Sequence, residues 1–558
     1  MPQTTALNKW LYLFLGLAVA INFSGLFVPL MNPDATLYAT IAKTMVLRND
    51  YVNIYVRGTD WLDKPHFPFW AAAFFFKIFG INTWAYKLSG IVFMLMGALY
   101  TWLFAKSLYN KQVAIWSVLI LLTAQHIVLS DNDVRAEPYL TGLIIAATYH
   151  FYRSYTKPSF WHLLIACLFA GCAVMTKGIF ALITIGGAIA GHLIITKQWK
   201  QLFNLRWLLA AVLVFVFMLP EVYCLYQQFD AHPEKIVFGQ QGVSGIKFFF
   251  WDSQFGRFFN TGPIKGSGDP SFFVHTTLWA FLPWSLLLFA AIFQFIKKGS
   301  KNARSTEWFN LCGAMLTFLM FSASKFQLPH YINIVFPYFA IITAQYVCGI
   351  QSAKSKKAIN ITQWIVVALL LIVLVALQYF YQPSINNALV VTLVLTLMLT
   401  LLLVYVNKGA EWQERVGYRG IIACIIVNLY LNWVFYPDVL KYQAGSEAGM
   451  YVSEQKLPAN IPLLQSGDDV NFAMEFYLDR PMNTIPADGS AKLPTDSFML
   501  YAPADALTGI LNGRKAKTLK IFERYAITRL KPAFLNKATR SNQTTRMQLV
   551  LVAAEGKN

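Results

Sequence analysis

Apolar runs of about 20 residues recur along most of the chain, and they restrict the fold to a membrane-spanning one. A helix needs about that length to cross a bilayer, whereas a membrane β-strand needs only about ten residues. The chain is 56% hydrophobic and 13% charged, and soluble proteins carry roughly twice that charged fraction. We therefore predict an α-helical polytopic membrane protein with about thirteen transmembrane helices. The apolar runs lie at 10–30, 83–105, 112–130, 138–152, 159–176, 178–196, 206–226, 273–296, 308–323, 330–350, 361–380, 385–406 and 418–436.

Clusters of lysine and arginine alternate with connections that hold few cations. With the N-terminus in the cytoplasm, every second connection is basic, as the positive-inside rule requires of inner loops. The net charge of +19 is scattered over these loops, so it does not favour nucleic-acid binding. An odd number of spans then places the C-terminal segment outside. The predicted inner loops hold Lys106 and Lys111; Arg153 and Lys157; Lys197, Lys200 and Arg206; Lys297, Lys298, Lys301 and Arg304; Lys354, Lys356 and Lys357; and Lys408, Arg415 and Arg419.

Two predicted outer segments, 31–82 and 227–272, are longer than the other connections. In the first, Leu37, Ile41 and Met45 recur at helical spacing. The stretch 67–79 is almost entirely apolar and aromatic. Both patterns favour helices that lie in the membrane interface. We expect the two segments to form the active-site face of the protein.

The composition changes near residue 437. Short apolar runs at 461–464 and 498–502 are separated by turn residues, and the stretch 546–553, RMQLVLVA, is typical of a strand. We predict a transmembrane domain over residues 1–436. We predict a small α/β domain over residues 437–558, on the outer side of the membrane.

Four cations lie on the predicted outer side, where the positive-inside rule disfavours them. Each cation alone is typical of an ordinary interfacial charge. Together with the carboxylates of the same segments, they indicate an outward-facing polar cavity. Cations there can hold a phosphate group, and a carboxylate can remove a proton from an acceptor, which suits transfer from a lipid phosphate. The cations are Lys64, Lys177, Arg257 and Lys325, and the carboxylates are Asp34, Asp63, Asp131, Asp133 and Glu137.

Several short motifs follow one another in a specific order. An Asp-x-x-x-Tyr pattern at Asp34 and Tyr38 follows the first apolar run, and an acidic-Lys-Pro triplet follows at 63–65. The later segments are DVRAEPYL at 133–140, TKG at 176–178, GRFF at 256–259, DPSFF to FLPWS at 269–285, and SKFQLPHYINIVFP at 324–337. In this order the set resembles the bacterial lipid A aminoarabinose transferases, which are relatives of the protein O-mannosyltransferases. The resemblance covers most of residues 1–350, and it implies a type-C glycosyltransferase architecture with an outer C-terminal domain.

The resemblance implies an inverting transfer of a sugar from a polyprenyl-phosphate donor, such as undecaprenyl phosphate, to an envelope acceptor such as lipid A. It implies that Asp34 is the catalytic carboxylate and that Lys64 and Arg257 contact the donor phosphate. Lys177 and Lys325 are further candidates for phosphate binding. The predicted sugar and acceptor cavity comprises Tyr38, Trp61, Asp63, Asp133, Arg135, Glu137 and Tyr331. The implied location is the bacterial inner membrane, with the active site and the C-terminal domain facing the periplasm.

Three positions depart from the family pattern and leave the sugar and the acceptor open. Leu37 stands where the family often has Arg, Asp63 where Glu is more frequent, and Glu137 where Asp is usual. The acceptor is lipid A, a polysaccharide or, as in a protein O-mannosyltransferase, a secreted protein. Membrane lipid surrounds the chain in every case. A close pair of carboxylates, which a retaining mechanism needs, is not evident in the sequence.

Two other classes of protein remain as alternatives. A flippase or transporter of lipid-linked sugars predicts charges in the middle of spans and broken helices in both halves. A non-catalytic scaffold leaves the co-occurrence of Asp34, Lys64 and Arg257 unexplained. The sequence predicts no definite cofactor, although Asp63 is a candidate ligand for a divalent metal ion.

Overall fold

The computed structural model describes residues 9–299, 301–455, 457–458, 460–467, 471–488, 490 and 492–555. The chain divides into two compact units. The first comprises Met1–Leu26, Thr44–Leu371 and Val391–Leu429, and the second comprises Phe27–Lys43, Ile372–Val390 and Tyr430–Asn558. The predicted boundary at 436/437 therefore falls inside the last segment of the second unit. The assignment of residues 1–436 and 437–558 to separate domains stays a prediction.

Helices dominate the first four fifths of the chain. The helices up to residue 348 are α1 (Lys9–Asn22), α2 (Asp34–Arg48), α3 (Phe67–Phe79), α4 (Thr83–Leu108), α5 (Lys111–Leu122), α6 (Gln125–Asn132), α7 (Glu137–Thr156), α8 (Phe160–Lys177), α9 (Ala181–Ile195), α10 (Trp199–Leu202), α11 (Arg206–Leu225), α12 (Gly245–Lys247), α13 (Arg257–Phe259), α14 (Phe272–Ala280), α15 (Ser285–Gly299), α16 (Phe309–Ala323) and α17 (Phe336–Cys348). The later helices are α18 (Ala353–Tyr381), α19 (Asn387–Asn407), α20 (Trp412–Tyr430), α21 (Tyr436–Val439), α22 (Ala444–Glu454), α23 (Phe472–Tyr477), α24 (Leu507–Leu511), α25 (Pro532–Leu535) and α26 (Lys537–Arg540). The strands are β1 (Tyr55–Val56), β2 (Thr59–Asp60), β3 (Ile236–Val237), β4 (Gln240–Gln241), β5 (Leu463–Ser466), β6 (Met482–Ile485), β7 (Phe498–Pro503), β8 (Ala516–Arg524) and β9 (Thr545–Val552).

Among the described residues, seven helical segments are long and apolar enough to cross a membrane, or up to eight if the bent pair α5–α6 is one span. They are Thr83–Leu108, Phe160–Lys177, Trp199–Asp230, Pro329–Cys348, Ala353–Tyr381, Asn387–Asn407 and Trp412–Tyr442. The chain is thus a multi-pass membrane protein, but the predicted count of about thirteen spans is not confirmed. Helices α1, α9 and α16 are apolar, yet they have only 14, 15 and 15 residues.

Local sequence signals explain where several helices begin. Asn82, Asn110 and Ser159 accept hydrogen bonds with their side chains from backbone N–H groups in the first turns of α4, α5 and α8. These side chains satisfy donors that have no partner inside the helix. The two helices predicted in the first long outer segment are present as α2 and α3.

The second unit contains a five-stranded mixed sheet with the strand order β6-β5-β7-β9-β8. Strand β5 pairs in parallel with β6 and β7, whereas β9 pairs antiparallel with β7 and β8. Alternate residues of β7 enter different hydrophobic clusters: Met499 and Tyr501 join one, and Phe498 and Leu500 join the other. Because neighbouring side chains of a strand point to opposite faces, the sheet is covered on both sides. The last strand predicted at 546–553 is confirmed as β9, and the short apolar runs 461–464 and 498–502 overlap β5 and β7.

Candidate active site

A cavity in the first unit collects side chains from distant parts of the sequence. It encloses about 960 Å³ of atom-free space, part of which is open to solvent. Apolar and aromatic side chains form most of its wall, and a few charged groups project among them. Its charged and polar lining consists of Asp63, Lys64, Lys177, Glu221, Ser253, Gln254, Arg257, Ser324 and Tyr331. Such a wall, with a small number of convergent polar groups, is typical of a ligand site.

Asp63 joins two of the predicted phosphate-binding cations. Lys64 Nζ lies 2.8 Å from Asp63 Oδ2, and Arg257 Nη2 contacts Asp63 Oδ1. Burial raises the pKa of Asp63, but the opposing effect of the Lys64 and Arg257 charges is larger in sum. The net shift of the Asp63 pKa is therefore downward. The carboxylate therefore stays ionised and holds both cations at one wall of the cavity.

Buried polar contacts fix the loop that carries Asp63 and Lys64. Glu221, on α11, accepts a hydrogen bond from the backbone N–H of His66 at 3.0 Å, and its other oxygen lies 3.0 Å from His66 Nδ1. Gln228 binds both backbone polar groups of Ile54, at 2.9 and 2.8 Å. A cluster of apolar residues packs the same loop against α8 and α11, and it includes Leu62, Val174, Met175, Met218, Leu225 and Phe249. The position of Lys64 thus depends on contacts with segments more than 100 residues away.

Lys177 reaches the cavity because α8 ends there. Gly178 follows with φ +103°, a conformation that favours glycine, and an added Cβ at this position would overlap the side chain of Gln254. Gln254 Nε2 donates to the carbonyl oxygen of Lys177 at 3.2 Å. The Lys177 ammonium contacts Glu137 Oε1 and lies 3.6 Å from the ring centroid of Tyr331. The TKG motif therefore combines a cation with the only type of residue that fits the turn after it.

Glu137 and Lys177 belong to a longer network of charged and polar groups. His330 Nε2 lies 3.9 Å from Glu137 Oε1, and His330 Nδ1 lies 3.1 Å from Arg135 Nη1. Arg135 Nη2 in turn lies 2.8 Å from Asp133 Oδ2. Two predicted site residues of the DVRAEPYL motif, Arg135 and Glu137, thus meet the LPHY segment, which lies almost 200 residues later, and Asp133 joins the network through Arg135.

Four polar residues of this site are not among those that the sequence predicts. His330 links Arg135 to Glu137, and Gln254 supports the turn after Lys177. Glu221 and His66 form a buried pair, with side chains 0% and 1% exposed. His330 and Gln254 lie in or next to recognised motifs, which is a signal in the sequence. Glu221 lies within an apolar run after Pro220, where a charged residue is expensive and therefore informative.

The other predicted residues occupy different surroundings. Lys325 is exposed, and its backbone N–H donates to the carbonyl oxygen of Phe258 at 3.1 Å. Trp61 is half-buried, with its ring edge-on to Phe69 at 6.3 Å between centroids. Asp34 and Tyr38 belong to the second unit, on α2.

Asp34 is the first residue of α2, where a carboxylate interacts favourably with the helix dipole. Tyr38 on the same helix is buried. Further along α2, Lys43 Nζ donates to the carbonyl oxygens of Glu475, Phe476 and Leu478 at 3.0, 2.9 and 2.5 Å. Burial lowers the pKa of Lys43 to about 8. The helix that carries Asp34 is thus fixed within the second unit by a largely desolvated lysine.

Among the described residues, no group of three or more His, Cys, Asp and Glu side chains is arranged to hold a metal ion. Asp63, the candidate ligand from the sequence, is contacted by a cation at each carboxylate oxygen.

Comparison with protein families supports the resemblance that the motifs indicate. The model of the family described as dolichyl-phosphate-mannose-protein mannosyltransferase matches residues 63–223. This stretch contains Asp63, Lys64, Glu137 and Lys177, but it is less than half of the chain.

Two curated relatives match over a longer stretch. An uncharacterized protein of Aquifex aeolicus is 26% identical over 360 residues, which are 63% of this chain and 66% of that protein. An undecaprenyl phosphate-alpha-4-amino-4-deoxy-L-arabinose arabinosyl transferase of Erwinia tasmaniensis is 25% identical over 362 residues, 62% of each chain. The chain therefore spans somewhat less than two thirds of the length of these relatives.

A solved structure matches almost the whole chain. The crystal structure of ArnT from Cupriavidus metallidurans bound to undecaprenyl phosphate has a TM-score of 0.76 and 18% sequence identity, and the match covers 98% of each chain. At this identity the likeness establishes the fold. The chain has the fold of ArnT, and the predicted resemblance to the aminoarabinose transferases and the mannosyltransferase-like family is confirmed.

Proposed function

We propose that the protein is an inverting glycosyltransferase that moves a sugar from a polyprenyl-phosphate donor, such as undecaprenyl phosphate, to an envelope acceptor such as lipid A. One observation carries the proposal. Lys64, Lys177 and Arg257 lie far apart in sequence, yet all three line one cavity. A cavity with three cations among apolar and aromatic walls suits a lipid-linked phosphate, because the phosphate needs counter-charges and the lipid needs an apolar surface.

The reaction breaks the bond between the sugar and the phosphate oxygen, and the polyprenyl phosphate leaves with the bonding electrons. Cations aimed at that oxygen stabilise the negative charge that develops in the transition state. Asp63 holds Lys64 and Arg257 at one wall, and Glu137 holds Lys177. The cations are therefore positioned before the donor arrives, and a donor phosphate would share them with these carboxylates.

Asp34 is the proposed catalytic carboxylate, and its role rests on the resemblance to the aminoarabinose transferases. An inverting transfer needs one base, which removes the proton of the acceptor hydroxyl as the acceptor oxygen attacks the sugar. The sugar and acceptor are proposed to contact the remaining predicted residues. These are Tyr38, Trp61, Asp63, Asp133, Arg135, Glu137 and Tyr331.

Two further assignments belong to this proposal. The resemblance to the aminoarabinose transferases supports a bacterial inner membrane location, and the basic inner loops favour an orientation with the active site and the C-terminal domain on the periplasmic side. The relative from Erwinia tasmaniensis, named as an undecaprenyl phosphate-alpha-4-amino-4-deoxy-L-arabinose arabinosyl transferase, supports the donor class.

A protein acceptor is the second candidate, and the family model described as a protein mannosyltransferase favours it. A flippase or transporter is less consistent with the site. Glu137 is the first residue of α7 and Lys177 is the last residue of α8, so their charges lie at helix ends rather than in the middle of spans.

The test is a transfer reaction with purified protein, a synthetic polyprenyl-phosphate sugar and an extract of envelope lipids and proteins. Mass spectrometry of the products should find the sugar on a glycolipid, with release of polyprenyl phosphate. The Lys64→Ala/Arg257→Ala variant should lose the reaction, whereas Lys247→Ala, at an exposed lysine of the same long loop, should retain it. A sugar found only on protein would select the second candidate. Movement of intact donor across a vesicle membrane, without transfer of the sugar, would refute the proposed glycosyltransferase activity.

A further inference from the structure

A second cavity in the first unit is lined by an unusual density of cations. It lies where α18 begins, α19 ends and α20 begins. Five of its ten lining residues are basic: Lys356, Lys357, Lys408, Arg415 and Arg419. One carboxylate, that of Glu411, also lines it. In the part of the chain that the structure describes, none of the five cations forms an ion pair. The cavity therefore has a large excess of positive charge.

Arg419 makes this cavity more than a patch of surface lysines. The residue is only 5% exposed, and its guanidinium lies 4.8 Å from the ring centroid of Trp364. Its Nε donates to the carbonyl oxygen of Arg415 at 2.8 Å, and Nη2 contacts Asn360 Oδ1. A buried guanidinium without a carboxylate partner is costly, and an anion in the cavity would supply the missing charge.

The surroundings of the cavity favour a lipid as its occupant. Beyond the basic residues, α18 and α19 expose apolar side chains: Ile365, Leu369, Leu401 and Val404 are 54%, 56%, 60% and 56% exposed. Trp412 is the first residue of α20, and Lys356 Nζ lies 5.7 Å from its ring centroid. Aromatic residues at the ends of membrane helices are typical of the membrane interface. A phosphate held by the cations would place acyl chains against these apolar faces. Basic pockets between membrane helices bind the headgroups of anionic phospholipids in this way.

This cavity is separate from the candidate active site. Tyr331 and Ile334 of the active-site cavity come just before α17 begins at Phe336. Helix α17 ends at Cys348, and α18 begins at Ala353. The two cavities thus lie at opposite ends of α17, within the same unit.

We propose that the cavity formed by Lys356, Lys357, Lys408, Arg415 and Arg419 is a binding site for an anionic membrane phospholipid. The phosphate groups contact the cations, and the acyl chains lie along the exposed faces of α18 and α19. With five cations available, a lipid with two phosphates binds more tightly than a lipid with one. The proposal does not depend on the reaction at the other cavity.

The test uses the purified full chain in detergent and counts bound lipid by native mass spectrometry, with the thermal unfolding midpoint as a second readout. The probes are cardiolipin, phosphatidylglycerol, phosphatidylethanolamine and inorganic phosphate. The variant Lys357→Gln/Lys408→Gln removes two exposed cations from the cavity, so its folding is not at risk. The matched control Lys298→Gln/Lys301→Gln removes two exposed lysines from another predicted inner loop.

Wild type and control should bind cardiolipin more tightly than phosphatidylglycerol, and phosphatidylethanolamine only weakly. The cavity variant should lose roughly tenfold to thirtyfold in cardiolipin affinity, from the usual contribution of each cation near a membrane surface. Equal losses in the variant and the control would overturn the site, because they would reflect net charge alone. Equal binding of phosphatidylethanolamine, or equal stabilisation by inorganic phosphate, would overturn the assignment to an anionic lipid.

Discussion

Arg257 contacts the carboxylate of Asp63 although 194 residues separate them in sequence. The other oxygen of Asp63 holds Lys64 at 2.8 Å. The two cations therefore share one counter-ion and face one cavity. Because of this arrangement, we expect their proposed contributions to phosphate binding to be interdependent, and variants of these residues can test that expectation.

Lys64→Ala and Arg257→Ala should each weaken the binding of a short-chain polyprenyl phosphate by roughly 1.5–3 kcal/mol, the range for hydrogen bonds to charged groups. The double variant should cost less than the sum, because residues that share charged partners are coupled. Ligand-dependent thermal shifts would give the affinities, with Lys247→Ala as the control. Strict additivity, or wild-type affinity in both single variants, would mean that the phosphate lies elsewhere, with Lys177 and Lys325 as the next candidates.

Asp63 should make the stability of the protein depend on acidic pH. Because the pKa of folded Asp63 lies below its value in the unfolded chain, its ionised form stabilises the fold. That contribution is complete above the unfolded pKa, near 3.9, and is lost as the pH falls through the lower folded pKa. The thermal midpoint of wild type should exceed that of Asp63→Asn by a constant margin from pH 7 to about pH 5, and the margin should shrink below that. If the margin persisted at the lowest pH, the Asp63→Asn change would destabilise the fold through the shape of the new side chain and not through the loss of charge.

The buried pair of Glu137 and Lys177 should respond differently to single and double changes. Glu137→Gln removes the counter-ion of Lys177 and should destabilise the fold by about 3 kcal/mol, near the lower limit for a broken buried pair. Glu137 is 2% exposed, but Lys177 is 24% exposed and keeps some contact with water. Adding Lys177→Met should recover part of the lost stability, because no unpaired cation remains. Chemical denaturation would measure both, and a double variant less stable than Glu137→Gln would contradict the coupling.

Asp34→Asn should lower the transfer rate by roughly a hundredfold to ten-thousandfold, the usual contribution of a general base. Donor affinity should change less than twofold, because the proposed phosphate contacts belong to other residues. Asp505→Asn, at an exposed aspartate of the second unit, is the control and should react like wild type. Wild-type turnover in the Asp34 variant would assign the base to another residue.

The predicted orientation places the C-terminal sheet outside the cell membrane and the start of α18 inside. In a background without the six native cysteines, Lys517→Cys should react with an impermeant thiol reagent in intact cells, whereas Lys354→Cys should react only after the membrane is opened. Both positions are exposed, so access depends on the side of the membrane and not on burial. The reverse pattern would invert the orientation and remove the periplasmic assignment of the active site.

Local patterns in the sequence predicted several elements correctly. The apolar stretch 67–79 is α3 with the same bounds, and the run 546–553 is the last strand, β9, within one residue. The predicted span count is not confirmed, because apolar character does not reveal where a helix breaks. The predicted span 112–130 is a pair of helices, α5 and α6, bent by 55°.

By itself, the sequence determined the membrane class, the C-terminal sheet and the charged residues of the candidate site, because hydrophobic length, strand alternation and local motifs are short-range properties. Only the tertiary structure decided which charges meet. It pairs Lys64 and Arg257 through Asp63, joins Glu137 to Lys177, and leaves Lys325 exposed. It also reveals the His330 and Gln254 contacts. Electrostatic and hydrogen-bond energies depend on distances of a few ångströms. Helix packing sets those distances, and the number of residues between two segments does not reveal whether the segments pack together.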